Sequence, residues 1–208
     1  MFSIGTNKKL KRGRIAAFDI PAGQEVCGRE CKGCYAIRSQ VMYKNVMLKR
    51  IRNFIASGSS TFITEASNEL SKMEARRNPI TRVRIHSSGD FYGQRYINKW
   101  VAIAKLHPGV TFYAYTKRLK EFNFRKLKGL PNVVVIDSCK FGPVNFGTDA
   151  QVMAWKNKGG FICPALKPKS ERGKRKKGYT DTGITCNNGC NYCLTKAAQK
   201  SGVVFYKH

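Results

Sequence analysis

The amino-acid sequence predicts an α/β fold: a partial (β/α) barrel with a mainly parallel sheet, followed by a small cysteine-rich C-terminal segment. Three observations predict it. Strand-like apolar runs alternate with segments of helical periodicity, the pattern of successive βαβ units. One run, "VVVI" at 133–136, is continuously apolar, as expected of a strand covered on both faces. Polar stretches follow the strand-like runs, and the C-terminal strand ends are where such folds bind ligands.

The elements follow in order. Strands are expected at "RIAAFDI" (14–20), "RVRIHSS" (82–88), "VTFYAYT" (110–116), "NVVVIDS" (132–138), "GFIC" (160–163) and "GVVFY" (202–206). Helices are expected over 36–56, 61–77, 94–107 and 149–157. In 94–107, Ile97, Val101, Ile103, Ala104 and Leu106 trace an approximate apolar face. Right-handed crossovers would curl the sheet into an open or partial barrel. Residues 1–162 read as this barrel with its loop. Residues 163–208 read as a basic loop and cysteine-rich segment packed on it.

At 208 residues the chain is one domain with at most a small appendage, and 42% hydrophobic residues suffice for a core. No apolar run reaches the length of a membrane span. The opening "MFSIGTNKKLKRGR" lacks the layout of a signal peptide, so the cytoplasm is the expected location. There thiols stay reduced, and eight cysteines argue for metal rather than disulfides. Lys and Arg number 39 against 12 Asp and Glu, a net charge of +27. Such a field draws polyanions, and nucleic acid is the expected partner. Within "KPKSERGKRKK", Lys174, Arg175, Lys176 and Lys177 are either a solvated loop or phosphate contacts, and the global charge favours contact. No phosphate-cradling P-loop, dinucleotide fingerprint or nucleophile elbow is present, and three histidines are too scattered for a histidine metal site.

"CGRECKGCY" (27–35) spaces Cys27, Cys31 and Cys34 as C-x3-C-x2-C with no local fourth ligand. The alternatives are reactive thiols, zinc with a distant fourth ligand, or a 4Fe–4S cluster whose open iron binds a small chelating molecule. "CNNGCNYC" repeats the spacing with Cys186, Cys190 and Cys193, and Cys163 in "FICPA" can supply a fourth thiolate across the basic loop. A closed four-thiolate site suits zinc or a second 4Fe–4S cluster equally. Cys139 reads as a buried thiol or as a rim residue that donates hydrogen atoms or ligates, and His86 as a hydrogen-bonded structural histidine or as an acid or ligand.

The first cysteine spacing, placed after an early strand of a parallel α/β series, resembles the radical S-adenosylmethionine (SAM) superfamily. The resemblance implies that the open iron binds the amino and carboxylate groups of SAM, which is cleaved reductively. It implies that "SSGD" (Ser87, Ser88, Gly89, Asp90) holds the methionine amine, and that Tyr115, Thr116 and Lys117 contact SAM. The superfamily usually places an aromatic residue before its third cysteine. Gly33 stands there in this chain, and Tyr35 follows. Auxiliary clusters after the barrel in such enzymes favour iron–sulfur for the second site. "FDIPAG", "RIHSSGDFY" and "FYAYTK" also resemble the phage gene-product eighty-eight family, which implies a viral or mobile-element origin and, if phage-encoded, a host-cytoplasm location.

The expected function is therefore an iron–sulfur enzyme of radical SAM type, modifying a nucleic acid, nucleotide or other anionic substrate and drawing electrons from a reductant protein. The alternative is a non-catalytic nucleic-acid-binding protein with two structural zinc or iron–sulfur sites.

Overall fold

The computed structural model describes residues 1–4, 15–29, 31, 34–138, 146–147, 150, 154, 157, 161–162, 192–201 and 203–206. A five-stranded sheet runs in the order β1 (Ser3–Ile4), β2 (Ile15–Phe18), β3 (Arg82–Ile85), β4 (Thr111–Thr116) and β5 (Val133–Asp137). β1 is antiparallel to β2, and the other pairings are parallel. The helices before β3 are α1 (Gln24–Cys27), α2 (Tyr35–Met42), α3 (Lys44–Gly58) and α4 (Phe62–Glu74). α5 (Gln94–Leu106) joins β3 to β4, and α6 (Arg125–Gly129) joins β4 to β5.

Alternation along each strand splits the sheet into two faces. Ala16, Phe18, Val83, Ile85, Phe112, Ala114, Val133 and Val135 face a core shared with α4 and α5. α4 buries Phe62, Ala66, Leu70 and Met73, a helical stripe, and α5 buries Tyr96, Ile97, Trp100, Ile103 and Ala104. Phe18 meets Phe62 and Trp100 edge-on, with ring centroids 5.4 and 5.3 Å apart. On the other face, Ile15, Tyr113, Val134 and Ile136 pack with Ala198 and Val203. Ala198 lies on α7 (Lys196–Ser201), and Val203 begins β8 (Val203–Tyr206). β8 pairs in parallel with β6 (Phe146–Gly147) and β7 (Phe161–Ile162) in a separate three-stranded sheet.

α3 is held by polar groups. Buried Arg50 donates to Ala36 O and Gln40 Oε1, and Asn53 Nδ2 donates to Met1 O and Asp19 O. These bonds satisfy carbonyls at the N-terminus and around α2 that burial would otherwise leave without partners.

The mixed α/β architecture and mostly parallel sheet agree with the sequence. Other details differ. The helix expected over 36–56 breaks at Tyr43, whose extended backbone (φ −127, ψ 97) ends α2 and starts α3. Val46 N and Met47 N both turn back onto Tyr43 O, so a new helix begins there. Leu106 is 61% exposed rather than on the core face, because α5 is ending as its stripe turns outward. β1 and α6 were not expected, and the "GFIC" run lies in the smaller sheet. The helix expected over 149–157 falls mostly outside the described residues. The main sheet ends at β1 on one side and β5 on the other, so closure toward a barrel is not a feature of the described strands. Among the described residues, no helix is long and apolar enough to cross a membrane.

Candidate functional site

Three segments meet at the C-terminal edge of the parallel strands: the cysteine loop after β2, the turn after β3 and the end of β4. Asp19, just past β2, organises the first contact. Its Oδ1 accepts from Ser87 N at 2.6 Å and Ser88 N at 3.0 Å, and Ser87 Oγ reaches both carboxylate oxygens at 2.7 Å. Ser88 Oγ donates to Ile20 O at 3.0 Å, and the Tyr35 hydroxyl donates to Ser87 O. Gly89 makes the turn possible. Its φ is +84, and a Cβ there would lie 2.3 Å from Ile20 Cγ1 and 3.0 Å from the Ile20 and Pro21 carbonyl oxygens.

Asp90 ties the turn to β4. Its Oδ1 accepts from Phe91 N at 2.8 Å and Thr116 Oγ1 at 2.6 Å, and its Oδ2 from Lys117 N at 2.9 Å. Burial pushes the Asp90 carboxyl above its ordinary range, while the hydrogen bonds from Lys117, Thr116 and Phe91 oppose the rise. Thr116 Oγ1 also accepts from Arg118 N at 3.0 Å.

The same strand end reaches the cysteines. Lys117 Nζ stands 3.1 Å from Cys31 Sγ. Glu121 sits between Arg29 of the cysteine loop (2.8 Å) and Arg118 (2.5 Å), and the Arg29 hydrogen bond leads in holding its carboxyl below the ordinary range. Gly28 has φ +69, and a Cβ on it would meet Arg118 Nη1 at 2.2 Å. Burial pushes the Cys27 thiol up, and Asp90, Cys31 and Cys34 add to the rise. Among the described residues, no three His, Cys, Asp or Glu side chains converge as they would around one metal ion.

His86 is packed rather than presented. It has φ +65, uncommon for a non-glycine residue, and its Nε2 lies 2.8 Å from the Tyr96 hydroxyl. Its ring stacks on Tyr96 and meets Phe91 edge-on. Burial, with Arg84 adding, pushes the imidazole down to about 3, so it stays neutral.

The model of the family described as Gene product 88 matches residues 2–158. The chain belongs to the Gene product 88 family. It is similar to the Gene 88 protein of Mycobacterium phage L5, at 27% identity over 120 residues, which is 50% of this chain and 48% of that protein. The match therefore spans about half the length of that relative. No solved structure matches the chain.

The Gene product 88 region contains Cys27, Cys31, Cys34, the Ser87–Asp90 turn and Tyr115–Lys117, and it ends before Cys163, Cys186, Cys190 and Cys193. Of the residues expected from sequence, Ser87, Ser88, Gly89, Asp90, Thr116, Lys117 and Cys31 are joined at the rim. Thr116 is fully buried, and its hydroxyl is engaged within the protein. Tyr115 points to the opposite sheet face, where it hydrogen-bonds Cys193 on the 3-10 helix Tyr192–Leu194. Cys139, Cys163, Cys186, Cys190, Lys174, Arg175, Lys176 and Lys177 lie outside the described residues. Sequence reasoning missed Asp19, Arg29, Arg118 and Glu121 at the rim, and Arg84 below it. Asp19 carried a signal: it continues the alternation of β2 onto the face opposite Phe18.

Proposed function

We propose that the chain is an iron–sulfur enzyme of radical SAM type that modifies a nucleic acid, nucleotide or other anionic substrate at this rim. The observation that carries the reading is the meeting of three loop thiols, a glycine-bearing turn and a Lys-Arg strand end at one edge of a parallel sheet, with Lys117 Nζ 3.1 Å from Cys31 Sγ. The fold reading that accompanies it is a partial (β/α) barrel whose first parallel strands are β2 to β5.

The donor set suits a 4Fe–4S cluster with one open iron. Three thiols share a short loop, and a cluster spaces its thiolates more widely than a single ion does, so the lack of convergence on one point is compatible with it. Cys27, Cys31 and Cys34 would hold the cluster, and when bound it would supply the electron for SAM cleavage. The protein's own groups bind, orient and exclude water. Asp90 Oδ2 takes one hydrogen bond where Oδ1 takes two, which leaves it a lone pair for the SAM ammonium. Thr116 acts as a positioning residue: its hydroxyl fixes Asp90 and so the Lys117 backbone. Tyr35, fastened to the turn carbonyl of Ser87, supplies an aromatic ring beside the third cysteine. A reductant protein delivers electrons, and Cys163, Cys186, Cys190 and Cys193 form a second site for 4Fe–4S or zinc. The host cytoplasm is the expected setting.

The test is anaerobic reconstitution, iron and sulfide analysis, and dithionite-driven SAM cleavage followed by chromatography. Brown protein that releases 5′-deoxyadenosine, and loses that activity in Asp90→Ala with iron retained, supports the reading. The net charge of +27 favours one rival, a structural-metal protein that binds nucleic acid without catalysis. Colourless protein with zinc at both sites and no SAM binding would select it.

A further inference from the structure

Arg84 is the least satisfied cation among the described groups near the rim. It sits on β3, on the face opposite the aromatic core, between Ala17 of β2 and Tyr113 of β4. Its guanidinium lies 5.7 Å over the Tyr115 ring. Its Nε is buried without a partner, and among the described residues no hydrogen bond or ion pair reaches the group. A guanidinium carries five donors in a fixed fork, and leaving them unmade away from water is costly. The carboxylate on that face, Asp19, stabilises the Arg84 charge from a distance but makes no hydrogen bond to it among the described residues. Its Oδ1 is taken by Ser87 N, Ser87 Oγ and Ser88 N, and its Oδ2 by Ser87 Oγ.

We propose that Arg84 anchors an oxyanion site on this face of the sheet, one layer below the cysteine rim, and that its ligand is the phosphate of the substrate. The planar fork matches two oxygens of one phosphate, and the Tyr115 ring lies against the guanidinium from one side. The assignment names the substrate class for the reaction proposed above and rests on that reading for the substrate's fate. Oxyanion binding itself needs neither cluster nor SAM.

The probe is inorganic pyrophosphate, titrated by calorimetry into the full-length protein without metal or SAM. Arg84→Gln is compared with Arg95→Gln, which removes the same charge from an exposed position on α5. Arg84→Gln is expected to lose about tenfold or more in affinity, and Arg95→Gln to bind as wild type. Arg84→Lys, with charge but no fork, is expected to fall between. Equal binding in wild type and Arg84→Gln overturns the proposal. Arg84→Met guards against a folding defect. Removing an unsatisfied guanidinium is expected to leave thermal stability unchanged or raised, and a melting point far below wild type would show the group already satisfied and overturn the site. SAM carries a carboxylate but no phosphate. If Arg84→Gln weakens SAM and spares pyrophosphate, the phosphate assignment is overturned. Loss of pyrophosphate binding with SAM cleavage intact touches this site and leaves the radical reading standing, and a protein that binds pyrophosphate through Arg84 without cleaving SAM does the reverse.

Discussion

The Asp90 carboxylate takes the Thr116 hydroxyl at 2.6 Å, and through that bond the turn after β3 is fastened to the end of β4. Both side chains are buried, so the bond between them is made away from water. Thr116→Val keeps the shape, removes a donor from Asp90 and removes the acceptor of Arg118 N. It is expected to cost about 1–3 kcal/mol in urea unfolding, and Thr116→Ser much less. A Thr116→Val protein as stable as wild type would show that the two strand ends are held by other means.

Gly89→Ala tests the turn itself. The new Cβ meets Ile20 Cγ1, which can rotate away, but also two carbonyl oxygens at 3.0 Å, which cannot, and the φ of +84 strains any L-residue. The expected loss is about 1–3 kcal/mol, and it is expected to persist in an Ile20→Ala background, which removes Cγ1. No Gly89→Ala penalty in that background would assign the cost to the side chain alone.

Much of the site was legible because it follows strand ends, and strands announce themselves by alternation and β-branched runs. The parallel series from β2 to β5 was read for that reason, and it carried "SSGD" and "YTK" to one edge. Tyr115 was expected to contact SAM along with Thr116 and Lys117, and alternation alone turns it to the face opposite Thr116. The break at Tyr43 had no glycine or proline to mark it. It depends on tertiary bonds such as Arg50 to Ala36 O, which no local pattern reveals. Asp19 and Arg84 were hidden by their ordinary appearance. A lone Asp after a strand and an Arg in "RVRI" become informative once the facing residues are known.

His86 supplies a pH signature. Its imidazole is pushed down to about 3 by burial, below the unfolded value, so the neutral ring is a stabilising feature above the unfolded pKa of about 6.5. That contribution is lost as pH falls from about 6.5 toward 3, because the unfolded chain takes up the proton first. His86→Asn tolerates the positive φ and does not titrate there. Its denaturation midpoint is expected to vary less with pH across that window than that of wild type. Parallel profiles would show that His86 is not the titrating group.

The C-terminal segment has two candidate fastenings, and they predict different behaviour. One is metal at the second cysteine group. The other is Lys196, whose ammonium donates to the carbonyl oxygens of Lys128 and Leu130 at 2.7 Å and of Val133 at 2.6 Å. Those carbonyls lie at the end of α6 and the start of β5, so the lysine closes over the entrance to the strand that α7 covers. Ala198 packs into the apolar group formed by Ile15, Tyr113, Val134 and Ile136, and Gln199 Oε1 accepts from Val135 N at 3.0 Å. None of these contacts requires metal. Chelation is therefore expected to leave amide protection in 196–201 nearly unchanged. Lys196→Met strips three carbonyls of a charged donor and is expected to release the segment, at about 1.5–3 kcal/mol by analogy with other hydrogen bonds to charged groups. Hydrogen exchange measured on the wild type with and without chelator, and on Lys196→Met, separates the two. Release by chelation alone would make the metal the fastening and reduce Lys196 to a surface contact.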